Sequence, residues 1–382
     1  MDGSCGVTGN REQSSKYKVQ KGKNGDGGKK KVLFFVEAMG GGVFTYTVEL
    51  ANALAEYYDM TVAYAVRPQT PENYREYFDP RVRLIEVRNY VRPVRPVRDL
   101  MALGEMKQIA REVRPDIIHL HSSKSGALGR LAWDGKEIPL FYTPHGYSFL
   151  MEDCSKARRT VYRGVEQLCA RRRCTTVSCS MGEQEESEKL TERTVCIENG
   201  INTADLDRIL AGLPKEHSQL QTVFTLGRIC TQKNPALFNR IAELLPERQF
   251  LWIGDGELRE ELTAPNIRIT GWTERAEALK MADSADVFLL TSLWEGLPIS
   301  LLEAMYMKKL CIVSDVIGNR DVIRNGENGF VCRTEEEFRT AIQAEPEVRK
   351  KLTEQAYQDL TEKYTTKVMA EKYRKLYEES LK

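Results

Sequence analysis

Histidine is scarce in this chain of 382 residues, four in all, and the nine cysteines contain no C-x-x-C pair. Neither a zinc site nor a disulfide framework is therefore indicated, and a reducing cytoplasm is the expected setting. Long apolar runs are absent too: no stretch approaches the length of a membrane span, and the N-terminus lacks the apolar centre of a signal peptide. The formal net charge is only +1, without the excess of positive charge that dedicated nucleic-acid binding needs. Residues 1 to about 30 carry almost no large apolar side chains, so they cannot offset the entropy of ordering and are expected to form a flexible tail.

What is present suffices for two cores. A hydrophobic content of 41% over this length suits two domains. Apolar runs short enough for buried parallel strands recur at Lys31–Val36, Met60–Val66, Val82–Val87, Ile117–His121, Leu140–Thr143, Thr175–Cys179 and Val195–Ile201. A polar stretch over residues 204–219 is read as a hinge region, and the alternation resumes at Val223–Arg228, Phe250–Glu257, Ile267–Trp272, Ala285–Leu290, Cys311–Asp315 and Gly329–Cys332. Helix-period segments among these strands imply two doubly wound, parallel-sheet α/β domains, whose ligands gather at the C-terminal strand ends. The expected units are residues 31–203, residues 220–365 and a terminal helix over 366–382.

The densest chemistry lies in Thr291-Ser-Leu-Trp-Glu-Gly-Leu-Pro-Ile-Ser-Leu-Leu-Glu-Ala-Met305. Gly296 and Pro298 break the preceding strand and start a helix at Ile299, which leaves Glu295 on a loop and Glu303 more than a turn inside the helix. Gly296, Leu297, Pro298 and Ile299 thus form a helix N-terminus whose unpaired backbone N–H groups suit a phosphate. Glu303 among those donors is placed to hold ribose hydroxyls, and Glu295 at the mouth to face a departing sugar. Arg228 and Lys233 flank another strand-to-helix turn, where two cations can grip a diphosphate and offset the charge that grows on it.

The first half offers its own candidates. Gly40-Gly41-Gly42 stands between a strand and the helix Val43–Leu54, the architecture of a phosphate cradle, although the third glycine of the dinucleotide fingerprint is missing; a tight turn alone also accounts for these glycines. His119 and His121 share one strand face, with His121 nearer the strand end and the loop of Ser122 and Lys124; a satisfied structural histidine is the other reading. His145, between Pro144 and Gly146, sits on a tight turn at the sheet's working edge. Trp272 ends a strand and either borders a nucleotide base or packs. Ser180 with Glu183 three residues later matches a capping box, a structural role. Lys156–Arg173 reads as a basic amphipathic helix which, with the proline-stiffened Val91–Arg98, is either a face for anionic lipid or a solvated surface. No D-x-D pair stands at a strand end, since Asp205-Leu-Asp207 falls in the hinge region, so no catalytic divalent ion is expected.

Glu295 and Glu303 match the E-x7-E signature. Together with the glycine turn, His145-Gly146 and the pair Arg228 and Lys233, they make the chain from about Lys31 onwards resemble the retaining glycosyltransferases of family GT4. Those enzymes have the GT-B fold, two Rossmann-like domains facing a cleft. The resemblance implies that Gly41 and Gly42 lie over the donor's phosphates and near the acceptor, that His145 contacts the donor hexose, and that the terminal helix crosses back to the first domain; His121, Ser122 and Lys124 are the acceptor-side candidates. Through Asp315-Val-Ile-Gly-Asn-Arg-Asp321 the chain is most similar to enzymes that build bacterial capsular, exopolysaccharide or O-antigen repeat units. Gly318-Asn319 and Asp321 stand where many relatives carry Gly-Gly and a later Glu, and Lys308-Lys-Leu310 replaces the usual Gly-x-Pro.

The implied reaction moves a hexose or N-acetylhexosamine from a nucleoside-diphosphate sugar, UDP-linked, to a polyprenyl-diphosphate-linked saccharide at the cytoplasmic face of the membrane. Anomeric configuration is retained, and neither a metal cofactor nor a nucleic-acid partner is implied. A nucleotide-sugar epimerase or hydrolase on the same fold and a non-catalytic polysaccharide-assembly subunit are the alternatives.

Overall fold

The computed structural model describes residues 28–37, 39–91, 93–212 and 221–382. The expected tail up to residue 27 and most of the hinge's second half lie outside the described residues. The first half runs through β1 (Lys31–Val36), α1 (Gly41–Leu54), β2 (Asp59–Tyr64), β3 (Arg83–Glu86), α2 (Pro96–Val113), β4 (Ile117–His121) and α3 (Ser122–Ala132). It continues with β5 (Leu140–Thr143), α4 (Lys156–Cys169), β6 (Cys174–Ser178), α5 (Met181–Glu188), β7 (Thr194–Cys196) and α6 (Thr203–Leu210). The second half opens with β8 (Thr222–Leu226), α7 (Pro235–Glu243), β9 (Gln249–Ile253), β10 (Ile267–Ile269), α8 (Arg275–Asp283), β11 (Val287–Leu290) and α9 (Ile299–Tyr306). It ends with β12 (Leu310–Ser314), α10 (Asn319–Val322), β13 (Phe330–Cys332), α11 (Glu335–Ile342), α12 (Pro346–Lys363) and α13 (Thr366–Ser380).

Two parallel sheets result, ordered β3-β2-β1-β4-β5-β6-β7 and β10-β9-β8-β11-β12-β13. Val32 to Val36 of β1 are buried without a polar residue among them, as a strand covered on both faces requires. Chain order reverses between β1 and β4 in one sheet and between β8 and β11 in the other. A crevice opens outside the strand ends at such a reversal, because the flanking helices leave to opposite faces. The glycines at the start of α1, the end of β4, the turn after β8 and Glu295 after β11 are therefore gathered at the two crevices by topology alone.

Several expected boundaries shift. The helix after the glycine turn begins at Gly41 and not at Val43, so Gly41 and Gly42 are its first residues. Gly41 has φ +56, a conformation open to glycine at little cost. The stretch read as a hinge contains α6, a helix capped by the Asn202 side chain, and Asp205 and Asp207 lie on it. The chain crosses between the domains at Ile201 and Thr365 instead, side by side, with the Ile201 N–H donating to Tyr364 O and the Thr366 N–H to Ile201 O. Gly200 permits this crossing: a Cβ there would lie 2.3 Å from Thr365 O.

Past the crossing, α13 packs on α1 of the first domain, with Tyr373 and Tyr377 wholly buried. Both bring a hydroxyl into that core, and each is met: Tyr46 donates to Tyr373 (2.6 Å), and the Tyr377 hydroxyl bonds His119 Nδ1 (2.6 Å). The His119 Nε2 reaches Thr143 Oγ1 at 2.8 Å, so this ring is a satisfied structural histidine. Replacing Tyr377 with Phe removes a partner of a buried ring nitrogen with little change in shape. The expected result is a loss of about 1–3 kcal/mol, read as a lower urea midpoint for the first domain; an unchanged midpoint contradicts the anchoring role given to α13.

Candidate functional site

Strands β4 and β5 pair in parallel with His121 opposite Thr143, which sets the His145 turn beside the end of β4. His145 has φ +56 and Gly146 φ +90, two consecutive left-handed residues that turn the chain sharply at the strand end. Such a conformation costs energy at a residue other than glycine and persists where its surroundings enforce it. Glu183 supplies the enforcement. Its carboxylate accepts from the Gly146 N–H at 2.6 Å and from the Cys179 N–H at 2.8 Å, tying the ends of β5 and β6 together. The capping-box expectation is half correct: Ser180 Oγ accepts from the Glu183 N–H, but the Glu183 carboxylate serves the neighbouring loop.

Of the acceptor-side candidates, Ser122 begins α3 with φ +70 at the end of β4. His121 is wholly buried, its Nδ1 3.2 Å from His145 Nε2, so it stands behind the cleft rather than in it. The Lys124 ammonium is bound by Asp99 (2.7 Å) and the Pro93 carbonyl (2.6 Å) and links α3 to the start of α2.

On the second domain, Arg228 and Lys233 stand at either end of the turn after β8. The loop before α9 is laced to that turn: the Leu293 N–H donates to Gln232 O, and Thr291 Oγ1 to Lys233 O. Glu295 is buried, and Lys233 Nζ (2.6 Å), Ser292 Oγ (2.7 Å) and Gln232 Nε2 (3.2 Å) all point at its carboxylate. Arg228 approaches Glu257 at 3.9 Å, its one ion pair among the described residues. Pro298 caps α9 without a side-chain partner and Ile299 starts it as expected, so the first N–H groups of this helix lack a side-chain acceptor. Glu303 lies more than a turn inside α9. It is buried, and its carboxylate is taken by Arg275 at 2.7 Å, which also binds Asp205 at 2.9 Å. Trp272 projects from the end of β10 with 65% of its surface exposed, so the packing alternative does not apply.

The two edges meet. A Cβ on Gly42 would lie 3.8 Å from Ile299 Cγ1, and one on Gly296 2.9 Å from the Gly146 nitrogen. The α1 and α9 N-termini and the His145 turn are thus neighbours. Asn199 Nδ2 donates to Leu297 O (2.8 Å), and Asp321 Oδ2 accepts from the Gly182 N–H (2.9 Å) while capping its own helix at Gly318. Sequence reasoning passed over Asn199, Glu183, Arg275 and Asp321 as partners of the site. The helix-start pattern at Glu183 and the place of Asp321 in the Asp315–Asp321 motif carried some signal; nothing in the spacing marked Asn199 or Arg275.

Charge states follow from burial. The His145 imidazole is pushed down to about 3, and those of His119 and His121 well below the ordinary histidine range, all chiefly by loss of hydration. The folded protein therefore keeps these rings neutral where the unfolded chain takes up protons, near pH 6.5. Their contribution to stability is complete above that pH and is lost as pH falls below it. Glu49 works in the opposite sense: burial raises it to about 7, so its contribution is complete below the ordinary carboxyl range and is lost as pH rises through about 7.

Replacing Glu183 with Ala strands the buried Cys179 N–H and the half-buried Gly146 N–H. The expected cost is about 2–5 kcal/mol, with faster hydrogen exchange at Gly146 and Cys179 than elsewhere in the first domain. Uniform exchange across the variant contradicts the clamp.

Residues 40–205 match the family described as Glycosyltransferase Family 4, and residues 221–344 the family described as Glycosyl transferases group 1. The Escherichia coli UDP-Gal:alpha-D-GlcNAc-diphosphoundecaprenol alpha-1,3-galactosyltransferase is 32% identical over 288 residues, which cover 67% of this chain and 72% of that enzyme. Among solved structures, sucrose-phosphate synthase from Thermosynechococcus elongatus superposes with a TM-score of 0.77 at 18% identity, over 92% of this chain and 99% of its own. Anabaena Alr3699/HepE, solved with UDP and glucose, gives 0.73 at 16% identity over 92% and 100%. The chain belongs to the family 4 glycosyltransferases and has their GT-B fold.

Proposed function

We propose that this glycosyltransferase moves a hexose or N-acetylhexosamine from a UDP-sugar to a saccharide carried on polyprenyl diphosphate, in the assembly of a cell-surface polysaccharide, with retention of anomeric configuration. The observation that carries this reading is the convergence of Arg228, Lys233 and the uncapped start of α9 at the second sheet's reversal point, opposite the uncapped glycine start of α1. Unpaired N–H groups and two cations form a site for a dianionic leaving group. The E. coli relative, named for a UDP-galactose donor and a diphosphoundecaprenol-linked acceptor, supports the choice of both substrates.

In this reading the donor's diphosphate lies across the α9 N-terminus. Lys233 turns from Glu295 to the phosphate oxygens, and Arg228 binds beside it. As the bond from C1 to the diphosphate oxygen breaks, charge grows on that oxygen, and fixed donors meet it without reorganising. No divalent ion is required. Glu295, freed from Lys233, faces the sugar together with His145, while Gly41 and Gly42 let the backbone approach the phosphates. Glu303 holds the ribose after exchanging part of its bond to Arg275, and Trp272 borders the base. Contact between the domains excludes water from the reacting centre.

The acceptor's lipid calls for a membrane-facing surface, and the first domain offers one. Helix α3 lies between α2 and α4, linked to each by an ion pair, Lys124 to Asp99 and Arg130 to Glu166. Val94, Val97, Leu100 and Met101 are exposed at the start of α2, and Val161, Val165 and Leu168 on α4. Arg95, Arg98, Lys156, Arg158 and Arg163 are exposed among them. Apolar side chains ringed by cations fit an anionic lipid surface.

The test is nucleotide release from UDP-, GDP- and ADP-sugars, with the acceptor presented in anionic vesicles or in detergent and with or without a chelator. Acceptor-dependent release from one UDP-sugar, insensitive to chelator and reduced about a hundredfold or more in Lys233→Ala, is expected. Val97→Glu with Leu100→Glu should slow the vesicle reaction alone. Turnover of donor without acceptor points to a hydrolase, and no turnover of any donor to an assembly subunit.

A further inference from the structure

Three of the chain's four histidines lie ring to ring at the C-terminal ends of β4 and β5. The ring centroids of His119 and His121 are 4.1 Å apart, and those of His121 and His145 5.4 Å, the latter pair stacked. His119 has partners on both nitrogens. His121 does not: its Nδ1 meets His145 Nε2 at 3.2 Å, but its Nε2 is buried with no hydrogen-bond partner among the described residues. A solitary unsatisfied nitrogen in an otherwise paired network demands an account.

From this asymmetry we propose that His121 is a positioning residue that fixes the tautomer of His145, holding its proton on Nδ1 so that this N–H is presented to the cleft. The nitrogens 3.2 Å apart share one proton, which leaves two neutral arrangements. If His145 Nε2 carried it, His121 would accept at Nδ1 and bear its own proton on Nε2, an N–H buried without an acceptor. The ring of Phe34, 4.7 Å away between centroids, offers that N–H only a weak π-face contact. If His121 Nδ1 carries the proton, what remains at Nε2 is a bare lone pair. Orphaned buried donors are rarer than under-satisfied acceptors, so the second arrangement prevails. His145 Nε2 then accepts, and its proton resides on Nδ1, a nitrogen with no protein partner among the described residues.

The consequence for the cleft is specific. His145 becomes a hydrogen-bond donor, able to bind a sugar hydroxyl without giving up a proton, with its ring braced edge-on by Tyr46 at 4.5 Å. Tyr46 is in turn bonded to Tyr373 of the terminal helix. The catalytic consequence rests on the reading of His145 as a contact to the donor sugar; the tautomer does not.

Histidine-selective 15N labelling and long-range proton–nitrogen correlation at pH 7 read the tautomer directly. The expected native spectrum shows His145 protonated on Nδ1 and His121 likewise. In His121→Leu, His145 should move toward protonation on Nε2 and kcat should fall about tenfold or more with UDP affinity unchanged, while His121→Asn, whose amide reaches the place of Nδ1, restores both. A native His145 with its proton on Nε2 overturns the proposal even if His121→Leu fails to fold, as does a kcat loss that His121→Asn does not repair. If the tautomer is as stated but His145→Ala transfers sugar at the native rate, the assignment of His145 to the donor site falls and the tautomer stands.

Discussion

Two helices begin at the domain boundary with no side chain to satisfy their first N–H groups. One is α1, entered through glycine, and the other is α9, entered through Pro298. An uncapped helix start exposes several unpaired donors and the positive end of the peptide dipoles, a cost most helices relieve with Ser, Thr, Asp or Asn. Here α5, α7, α11 and α13 have such caps. Helices α2, α3, α8 and α12 also start without a side-chain cap; of all these, α1, α3 and α9 follow strands at which the sheets reverse their order, so their unsatisfied donors lie at the crevices. The surrounding chain is arranged to preserve that arrangement: small residues at Gly42, Gly146 and Gly296 allow the approach, and Asn199 and Asp321 bind backbone across the boundary without occupying the helix starts.

The second charge device is the coupling of Lys233 to Glu295. A buried carboxylate is costly unless it is paired and hydrogen-bonded, and the half-buried Lys233 supplies the pairing for Glu295. The Lys233 ammonium and the Glu295 carboxylate order each other, and the Ser292 and Gln232 contacts hold the carboxylate beside it. Arg275 serves Glu303 and Asp205 in the same manner. These pairs stiffen the site, while the neighbouring neutral histidines keep the sugar end of the cleft free of added positive charge.

Local patterns made most of the architecture legible. The unbroken apolar run of β1, the glycine and proline before Ile299, and the Ser180 cap are each decided within a few residues, and so were read from them. Boundaries moved where tertiary contacts decide: the run Val195–Ile201 ends as a strand at Cys196, because Asn199 and Ile201 are used at the domain crossing. The site was harder. Arg228, Lys233, Glu295 and His145 stand at strand ends, which topology marks. The burial of His121, the diversion of Lys124 to Asp99 and the Arg275 bond to Glu303 depend on partners from other elements. His119 and Tyr377 are 258 positions apart in sequence, and no periodicity links them. Long-range polar partners of this kind leave no trace in spacing.

The central claim is that diphosphate recognition resides in Arg228, Lys233 and the α9 N-terminus. Calorimetric titration of UDP against uridine, for the native protein and for Arg228→Ala with Lys233→Ala, isolates it. The account predicts that UDP binds far more tightly than uridine, that the gap shrinks with added salt, and that the double variant loses most of it while its uridine affinity is unchanged. Equal binding of UDP and uridine by the native protein, or a gap that survives in the double variant, would contradict it.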